Sequence, residues 1–390
     1  MSELLRICSV HLIFLVIFSA FIYSQPQTEP NIPTIPAKAK TGLFRELVSV
    51  SYTSASSTLP TAFAFDDLYA YLATPDGLFR AALPLSASST FIPIGFQNKN
   101  IFNIYVHNNS LYLLKDTVSA EGVPTDHGFL RSDDHGASFV PMDNGLVDCL
   151  GTSCSYLTSF HALFKDNLIF LNAGQGNNLQ VSNDNGMTWI PLIGTIQRYI
   201  GCGDQSFGLV ENRMLIGGTC LETGYIKSGL LRPNLTGWYR RPTDSLTPNL
   251  NPNGIGIIKP KPGTPDVYAT TVGGLLKSSD YGKSFYPVIR YDLFGPVIPG
   301  ISSFLSPSRS PNVIVVGGSL IAYSKDNGET WFDVSAKLEK LLGNSGGQAQ
   351  GRAVRFMFED PTGKIFIGVL DSSNRTIKIV QFRIDVATFR

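Results

Sequence analysis

The stretch that decides the fold is S-N-D-N-G-M-T-W, Ser182–Trp189. It places an acid, two amides and a glycine in four consecutive positions shortly before a tryptophan. Such a run could ligate Ca²⁺, because hard cations take several oxygen ligands and glycine permits a sharp turn. It could equally be a turn between two strands. The rest of the chain discriminates between these readings.

Three further octapeptides carry the same residue types at the same offsets: S-D-D-H-G-A-S-F (Ser132–Phe139), S-S-D-Y-G-K-S-F (Ser278–Phe285) and S-K-D-N-G-E-T-W (Ser324–Trp331). Their aspartates are separated by 50, 96 and 46 residues. The middle gap is twice a period near 48 residues, so it should contain a degenerate copy. We find one in G-L-L-R (Gly229–Arg232) before Trp238, and another in G-L-F-R (Gly77–Arg80) before Phe91.

Each copy follows a short run of apolar and β-branched residues that is bounded by Gly, Pro, Asn or Asp, as strands are. These runs are residues 68–74, 110–116, 167–173, 213–219, 266–271 and 312–317, and a seventh is 364–370. Seven units in residues 42–390 give about 50 residues each, which is typical of four-stranded β-propeller blades. We therefore predict an all-β, seven-bladed propeller, with six blades as the alternative. A strand at residues 43–51 should pair with the last repeat and close the ring, which removes an exposed edge.

The octapeptides resemble the Asp-box, or BNR, repeat Ser-x-Asp-x-Gly-x-Thr-Trp, which is found in sialidases, sortilin-type receptors, xyloglucan-cleaving enzymes and a photosystem II assembly factor. The resemblance implies a propeller in which the box forms the turn between the third and fourth strands, away from the central ligand-binding face. It assigns a structural role to Ser132, Asp134, Gly136, Phe139, Ser182, Asp184, Gly186, Trp189, Ser278, Asp280, Gly282, Phe285, Ser324, Asp326, Gly328 and Trp331.

Physical chemistry agrees with this structural role. An aspartate in a turn can accept hydrogen bonds from backbone N–H groups, glycine supplies positive φ, and the aromatic residue buries a large side chain between blades. No further oxygen ligand recurs at a fixed offset after the boxes, as a calcium loop would require. We therefore interpret the boxes as turns, and we expect no metal and no cofactor.

The N-terminus predicts export. Arg6 precedes an apolar run from Val10 to Tyr23, and Ser24 precedes a proline-rich stretch. We interpret residues 1–24 as a signal peptide, 25–41 as a linker and 42–390 as one propeller domain. An uncleaved anchor is the alternative, but the run is shorter than the roughly 20 residues that span a bilayer. We expect a secreted protein that has no stable membrane anchor after cleavage.

Four cysteines remain after the signal peptide, which suits disulfides in an oxidising compartment. Three pairings are possible. We favour Cys149 with Cys154 and Cys202 with Cys220, because each pair lies within one repeat, and zinc binding is disfavoured because there is no C-x-x-C. Asn-x-Ser/Thr triplets at Asn108, Asn234 and Asn374 are possible N-glycosylation sites.

The sequence contains no recognisable catalytic constellation. A sialidase would need the Arg-Ile-Pro motif, which is absent, and a xyloglucanase-like glycosidase would need two carboxylates across a cleft. Six acids could face the central channel, but no pair stands out, and we favour a solvated or turn-capping carboxylate for each: Asp66, Asp67, Asp204, Glu211, Glu222 and Glu359. The four histidines after the signal peptide show no metal spacing, and we interpret His127 and His135 as surface loop residues; the other two are His107 and His161.

Composition disfavours some partners. A net charge of +1 offers no concentrated basic surface for nucleic acid or anionic membrane. Residues 335–342 predict a short helix capped by Ser335, and the prolines in 239–265 predict a long loop. We expect a non-catalytic module that binds a protein or a glycan, with a glycoside hydrolase as the alternative. Any site should lie near the axis, at the strand ends opposite the boxes.

Overall fold

A computed structural model describes residues 43–384, with gaps at 54–61, 75, 98, 119–123, 143, 145–160, 173–178, 195–201, 221–222, 232–236, 240–254, 272–273, 291–300, 319, 343–351 and 372–373. Several sequence predictions therefore fall outside the described residues. They are the signal peptide, the linker, Cys149, Cys154, Glu222, Asn234 and most of the proline-rich loop.

The described residues form seven sheets, antiparallel except for one short added strand, which we call blades 1 to 7. The first strand, β1 (Phe44–Ser51), belongs to the last blade. Blade 1 is β2 (Phe63–Phe65), β3 (Tyr69–Thr74), β4 (Gly77–Ala82) and β5 (Ile92–Gly95). Blade 2 is β6 (Asn100–His107), β7 (Ser110–Val118), β8 (Pro124–Ser132) and β9 (Val140–Pro141). Blade 3 is β10 (His161–Lys165), β11 (Leu168–Asn172), β12 (Leu179–Ser182) and β13 (Ile190–Pro191).

Blade 4 contains β15 (Cys202–Val210), β16 (Arg213–Cys220), β17 (Thr223–Leu231) and β18 (Gly237–Tyr239), and β14 (Ile193–Gly194) adds to its outer edge in parallel. Blade 5 is β19 (Ile255–Pro260), β20 (Val267–Thr271), β21 (Gly274–Ser278) and β22 (Tyr286–Arg290). Blade 6 is β23 (Ile301–Leu305), β24 (Ile314–Gly318), β25 (Ile321–Ser324) and β26 (Phe332–Asp333). Blade 7 is β27 (Arg352–Glu359), β28 (Ile365–Asp371), β29 (Thr376–Phe382) and β1.

The blades form a closed ring. The first strand of each blade contacts the first strand of the next, from β2 through β6, β10, β15, β19 and β23 to β27, and β27 contacts β2 again. The seven-bladed prediction is confirmed, and the six-bladed alternative is wrong. Each predicted apolar run is the second strand of a blade.

Strand β1 closes the ring as the sequence predicts. It pairs with β29 in antiparallel register from Phe44 opposite Phe382 to Ser51 opposite Thr376. Leu47 interrupts this ladder as a bulge, and its side chain is buried in the core between blades 7 and 1. Because the outer strand of blade 7 comes from the other end of the chain, closure ties both ends of the domain into one sheet.

The predicted short helix is present as α1 (Ser335–Leu341), which lies beside β1. Its predicted cap is wrong. Val334 occupies the N-cap position without a side-chain hydrogen bond, and the Ser335 hydroxyl instead donates to the Asp333 carboxylate at 2.6 Å. Leu338 is buried, whereas Leu341 is exposed. No helix among the residues that the structure describes is long and apolar enough to cross a lipid bilayer.

The four octapeptides form turns between the third and fourth strands of blades 2, 3, 5 and 6, where the sequence predicts them. In residues 182–189, Asp184 accepts hydrogen bonds from the Ser182 hydroxyl at 2.7 Å, the Thr188 N–H at 2.9 Å and the Thr188 hydroxyl at 2.6 Å. The Gly186 N–H donates to Ser182 Oγ at 2.8 Å, and Gly186 has φ of 90°. The other three turns repeat these contacts to within 0.1 Å.

The last residue of each octapeptide packs between two blades. Trp189 is buried with Phe129 and Met142 of the preceding blade, and its indole N–H donates to the Met142 carbonyl at 2.7 Å. Trp331 is buried in the core that joins blades 5 and 6, whereas Phe139 and Phe285 are half-buried. The octapeptide therefore fastens its own blade to the one before it.

The register of blade 4 places Cys202 directly opposite Cys220. Residues directly opposite each other in an antiparallel pair have Cα atoms about 4.5–5.5 Å apart. This separation lies in the range that a disulfide spans. The Cys202–Cys220 bond stays a prediction that the backbone permits.

The hydrogen bonds of Asp184 predict the effect of removing it. We expect Asp184→Ala to lower the free energy of unfolding by about 0.5–2 kcal/mol, the range measured for lost capping contacts. Urea denaturation measures this change. Met187→Ala is a matched control in the same turn, because its side chain is 59% exposed. Equal stability of the two variants would contradict the role of the carboxylate.

The octapeptide carboxylates also make stability depend on pH. In blades 2 and 3, the hydrogen bond from the hydroxyl four residues later is the largest effect, and it lowers the pKa of Asp134 and Asp184. In blades 5 and 6, burial raises the pKa, but the same hydrogen bonds outweigh it, so the pKa of Asp280 and Asp326 is lowered too.

A carboxyl group whose pKa is lower in the folded chain stabilises the fold above its unfolded pKa, about 3.9 for aspartate. That stabilisation is lost as the pH falls through the folded value. We therefore expect the free energy of unfolding to decrease from about pH 4 downward, and Asp184→Asn to make the decrease shallower. Urea midpoints measured across this range test the expectation. A wild-type midpoint that does not change with acidification would refute it.

Candidate binding site at one end of the central channel

A pocket of about 610 Å³ opens where the first strands of several blades end. Blades 1, 2, 3, 6 and 7 contribute its lining: Ala64, Phe65, Ile104, Tyr105, Val106, Phe164, Ser308, Arg309, Phe358, Glu359, Asp360 and Pro361. First strands line the axis of a propeller, so this is one mouth of the central channel. We call it the mouth pocket.

The mouth pocket and the octapeptide turns share one face. In an antiparallel blade, the turn between strands one and two lies at the same end as the turn between strands three and four. The sequence predicts a site at the opposite end, so the position of this pocket differs from that expectation. Most second-to-third turns and connections between blades, which occupy the opposite face, lie outside the described residues.

Stacked aromatic rings form the wall between blades 1 and 7. Phe358 stacks on Phe63 with ring centroids 4.1 Å apart and planes within 3°. Phe65 meets Phe358 edge-to-face at 4.6 Å. Such pairs stabilise their own arrangement beyond the burial of their area. This wall is therefore a packed apolar surface along one side of the mouth pocket.

A second aromatic wall joins blades 2 and 3. The Tyr105 hydroxyl accepts a hydrogen bond from the Ala162 N–H at 2.9 Å, and burial raises the pKa of Tyr105, so the phenol is neutral. Phe164 lies between Tyr105 and His107, with ring centroids 5.5 and 5.1 Å away. The His107 ring nitrogen Nε2 contacts the Asp166 carbonyl at 2.8 Å, which fixes the imidazole at the rim.

The remaining wall is polar and joins blades 6 and 7. Glu359 accepts hydrogen bonds from the backbone N–H of Ser308 at 2.5 Å and of Arg309 at 3.3 Å. The Arg309 guanidinium donates to the carbonyls of Thr362 and Pro361 at 2.7 and 2.9 Å. These groups satisfy one another, so they border the pocket as a rigid rim.

The carboxylates in the described lining of the mouth pocket do not form a glycosidase pair. Glu359 and Asp360 are neighbours in sequence on one wall, and Asp360 accepts from the Thr362 and Lys364 N–H groups at 2.9 and 2.8 Å. Hydrolysis needs one carboxyl on each side of the scissile bond, about 5–9.5 Å apart. Within the described lining, no acid faces these two across the pocket.

Asp66 has a structural role instead. It lies in the turn after β2 and is buried, and its two oxygens accept four hydrogen bonds. The donors are the N–H groups of Leu68 and Tyr69, the Tyr71 hydroxyl, and His135 Nδ1 at 2.6 Å. Burial raises the pKa of Asp66, but these hydrogen bonds outweigh it and hold the pKa below its usual value.

His135 belongs to the octapeptide turn of blade 2, so its contact with Asp66 joins blades 1 and 2. Its interpretation as a surface loop residue is incomplete, since its side chain is 31% exposed in a turn but pairs with a buried acid. Its backbone carbonyl also accepts from Arg80 Nη1 at 2.7 Å. We call this contact the blade latch.

The same position forms a latch between blades 5 and 6. Asn327 Nδ2 donates to Asp266 at 2.7 Å, and Asn327 Oδ1 accepts from Lys261 at 2.5 Å and from Tyr268 at 3.0 Å. Asp266 lies between β19 and β20, and Asp66 lies between β2 and β3. The fourth octapeptide residue thus reaches the first turn of the preceding blade in both places.

Asp66, Asp67 and His135 also lie close enough together to suggest a cation site, with their ligand atoms within 4.8 Å of one another. The hydrogen bonds of Asp66 give the cluster a complete explanation without an ion. Asp67 is exposed beside it. We therefore interpret the cluster as a latch, and the expectation of no metal stays a prediction.

The structure separates the remaining candidate acids and histidines. Glu211 is exposed in the first turn of blade 4, away from the described pocket lining. Asp204, His127 and His161 lie on β15, β8 and β10, but their side chains are outside the described residues. Of the predicted channel acids whose side chains are described, Glu359 alone lines the mouth pocket.

Sequence reasoning missed the aromatic walls. A usable signal exists, because Phe65, Phe164 and Phe358 each stand one or two residues before the acid of a first turn: Asp66, Asp166 and Asp360. The octapeptides mark the third and fourth strands, whereas the first strands contain no motif of comparable strictness.

The blade latch predicts a stability effect that does not involve metal. We expect His135→Ala to lower the free energy of unfolding by about 1–3 kcal/mol, because it leaves a buried carboxylate short of a donor. Asp67→Ala should stay within about 0.5 kcal/mol of wild type, since Asp67 is exposed. Melting temperatures measured with Ca²⁺, with Zn²⁺ and with a chelator should agree. Stabilisation by either cation that both variants abolish would establish a metal site instead.

Solved structures share this fold. The chain resembles YCF48, in a structure with a bound D1 peptide, at 14% identity and a TM-score of 0.55, covering 92% of this chain and 100% of that one. It resembles the extracellular domain of a putative hybrid two-component system from B. thetaiotaomicron at 11% identity and a TM-score of 0.56, covering 88% and 40%.

A third similar structure is the GH74 xyloglucanase from Xanthomonas campestris, at 15% identity and a TM-score of 0.50, covering 79% of this chain. The chain spans about half the length of that xyloglucanase. No protein-family model matches the sequence, and no curated protein matches it. At these identities the comparisons show the fold: the chain is a seven-bladed β-propeller, similar to propellers that include a peptide-bound protein, an extracellular domain and a hydrolase.

Proposed function

We propose that the chain is a secreted, non-catalytic binding module that holds a segment of a protein in the mouth pocket. The observation that carries the proposal is the combination of two fixed aromatic walls with a polar rim in a pocket of about 610 Å³. Ligand pockets commonly have this size and this mixture of apolar lining with few polar groups. The D1 peptide on the similar propeller YCF48 makes a peptide ligand a reasonable expectation for the fold.

The polar rim favours a protein segment over a glycan. A sugar presents many hydroxyl groups, and each one needs a hydrogen-bond partner when it is buried. The polar groups of Glu359 and Arg309 already bond to backbone groups of the pocket wall. An apolar side chain of a peptide can be buried against the aromatic walls. Its burial is favourable without any hydrogen-bond partner.

The wall residue Phe164 supplies a direct test. We would select peptides from a displayed library against the purified protein and measure their affinities by fluorescence anisotropy. We expect Phe164→Ala to weaken binding by roughly 30-fold, the effect of losing about 2 kcal/mol at an aromatic hot spot. Ser308→Trp should abolish binding, because Ser308 is exposed in the pocket lining and the larger indole would fill the pocket. Tyr286→Ala on the outer strand of blade 5 is the control and should bind normally.

Each other outcome rejects a part of the proposal. Peptides that bind all three variants equally would place the site elsewhere. A glycan array that gives a ligand sensitive to Phe164→Ala would replace the protein ligand by a glycan. Turnover of chromogenic glycosides by the wild type would support the hydrolase alternative over a binding module.

A further inference from the structure

We propose that Asn108 carries an N-linked glycan at the rim of the mouth pocket, and that this glycan restricts which ligands enter. The modification rests on the secretion included in the proposed function, and the effect of the glycan rests on the binding site proposed there. The structure distinguishes Asn108 from Asn374, although both asparagines stand in the same kind of triplet.

The position of Asn108 follows from the strand that precedes it. Ile104, Tyr105 and Val106 of β6 line the pocket, and Asn108 begins the turn directly after His107. Consecutive residues of a strand advance about 3.3 Å. The backbone of Asn108 therefore lies within about 7 Å of that of Val106, which lines the pocket.

Side-chain contacts connect Asn108 to the aromatic wall. Asn108 Nδ2, the atom that would carry the glycan, is 3.1 Å from His107 Nε2. The His107 ring stacks on Phe164 with centroids 5.1 Å apart, and Phe164 lines the pocket. Asn108 itself is exposed, so a sugar on Nδ2 would stand in solvent beside the opening.

The fold also fixes when the glycan can be added. Ser110, the hydroxyl residue of the triplet, is 6% exposed, and its Oγ donates to Asp133 at 2.5 Å. A transferase that must reach this hydroxyl can do so only before blade 2 folds. In the modification, Nδ2 displaces the diphosphate from the anomeric carbon of a lipid-linked oligosaccharide. A C–N bond forms, the C–O bond to the diphosphate breaks, and Nδ2 gives up one proton.

Asn374 provides a matched comparison on the opposite face. It lies in the turn between β28 and β29, whereas Asp360 and Pro361 of the pocket lie in the turn between β27 and β28. These two turns are at opposite ends of β28. Asn374 is exposed as well, and its Nδ2 donates to Asp371 at 2.9 Å. A glycan there would leave the mouth pocket unobstructed.

The turn constrains the choice of variant. Asn108 and Asn109 have φ of 50° and 62°, the left-handed values that a two-residue hairpin turn of this type requires. Asn108→Asp keeps a residue that tolerates this conformation and removes the triplet. Peptide N-glycosidase converts a glycosylated asparagine to aspartate, so the enzymatic product and this variant have the same sequence at that position.

The experiment has two readouts that do not require a natural ligand. Full-length protein would be secreted from a eukaryotic host, and glycopeptide mass spectrometry would measure occupancy at Asn108. Access to the pocket would then be measured as the rate at which maleimides label a Ser308→Cys variant. One reagent would be a small maleimide, and the other a maleimide linked to a polymer. We expect the glycan on Asn108 to slow the large reagent at least about fivefold and to leave the small one unchanged.

The Asn374→Asp variant should label at the wild-type rate, and Asn108→Asp should label as fast as the deglycosylated protein. An unmodified Asn108, or equal labelling rates with and without its glycan, would overturn the inference. Peptides selected on deglycosylated protein should bind glycosylated protein about tenfold more weakly. If no peptide binds either form, the proposed function fails, while occupancy and labelling still decide the present inference.

Discussion

The pairing of β1 with β29 is the contact on which the rest of the structure depends. Six blades are each built from one continuous stretch of chain, and they would form an open arc with two unprotected ends. An outer strand from the beginning of the chain completes the seventh sheet, and β27 can then meet β2. The wall between blades 1 and 7, with Phe63 stacked on Phe358, exists only because of this closure. The mouth pocket is thus a product of the closed ring.

Sequence reasoning recovered the blades because the repeated turn has strict chemical requirements. An aspartate that accepts three hydrogen bonds, a glycine at positive φ and a buried aromatic residue allow few substitutions, as residues 182–189 show. The second strands were also found, since they are buried on both faces and read as apolar runs. Strand ends shifted by only a residue or two.

The site was harder to predict, for a physical reason. First strands face the channel, so their residues meet partners from other blades, far away in sequence. Phe65 packs on Phe358, which is almost three hundred residues away, and Arg309 bonds to Thr362. A motif within one repeat cannot predict such pairs, because their two residues lie in different repeats. The same reason explains why the sequence does not reveal the contact between Asp66 and His135, which joins two neighbouring blades.

The octapeptide has two structural roles, and different residues of the octapeptide perform them. Its first, third, fifth and seventh residues make contacts inside the turn, and these are nearly identical in four blades. Its fourth residue has positive φ in every copy and points toward the preceding blade where it is His135 or Asn327. The hydrogen bonds inside the turn are therefore the same in the four octapeptides, whereas the contact with the preceding blade differs between them. Since the latches and the mouth pocket share one face, the contacts that hold the blades together also hold the pocket walls at a fixed separation. If the mouth pocket binds a ligand as proposed, that ligand would not have to close the site, and its shape and its access at the rim would determine whether it enters.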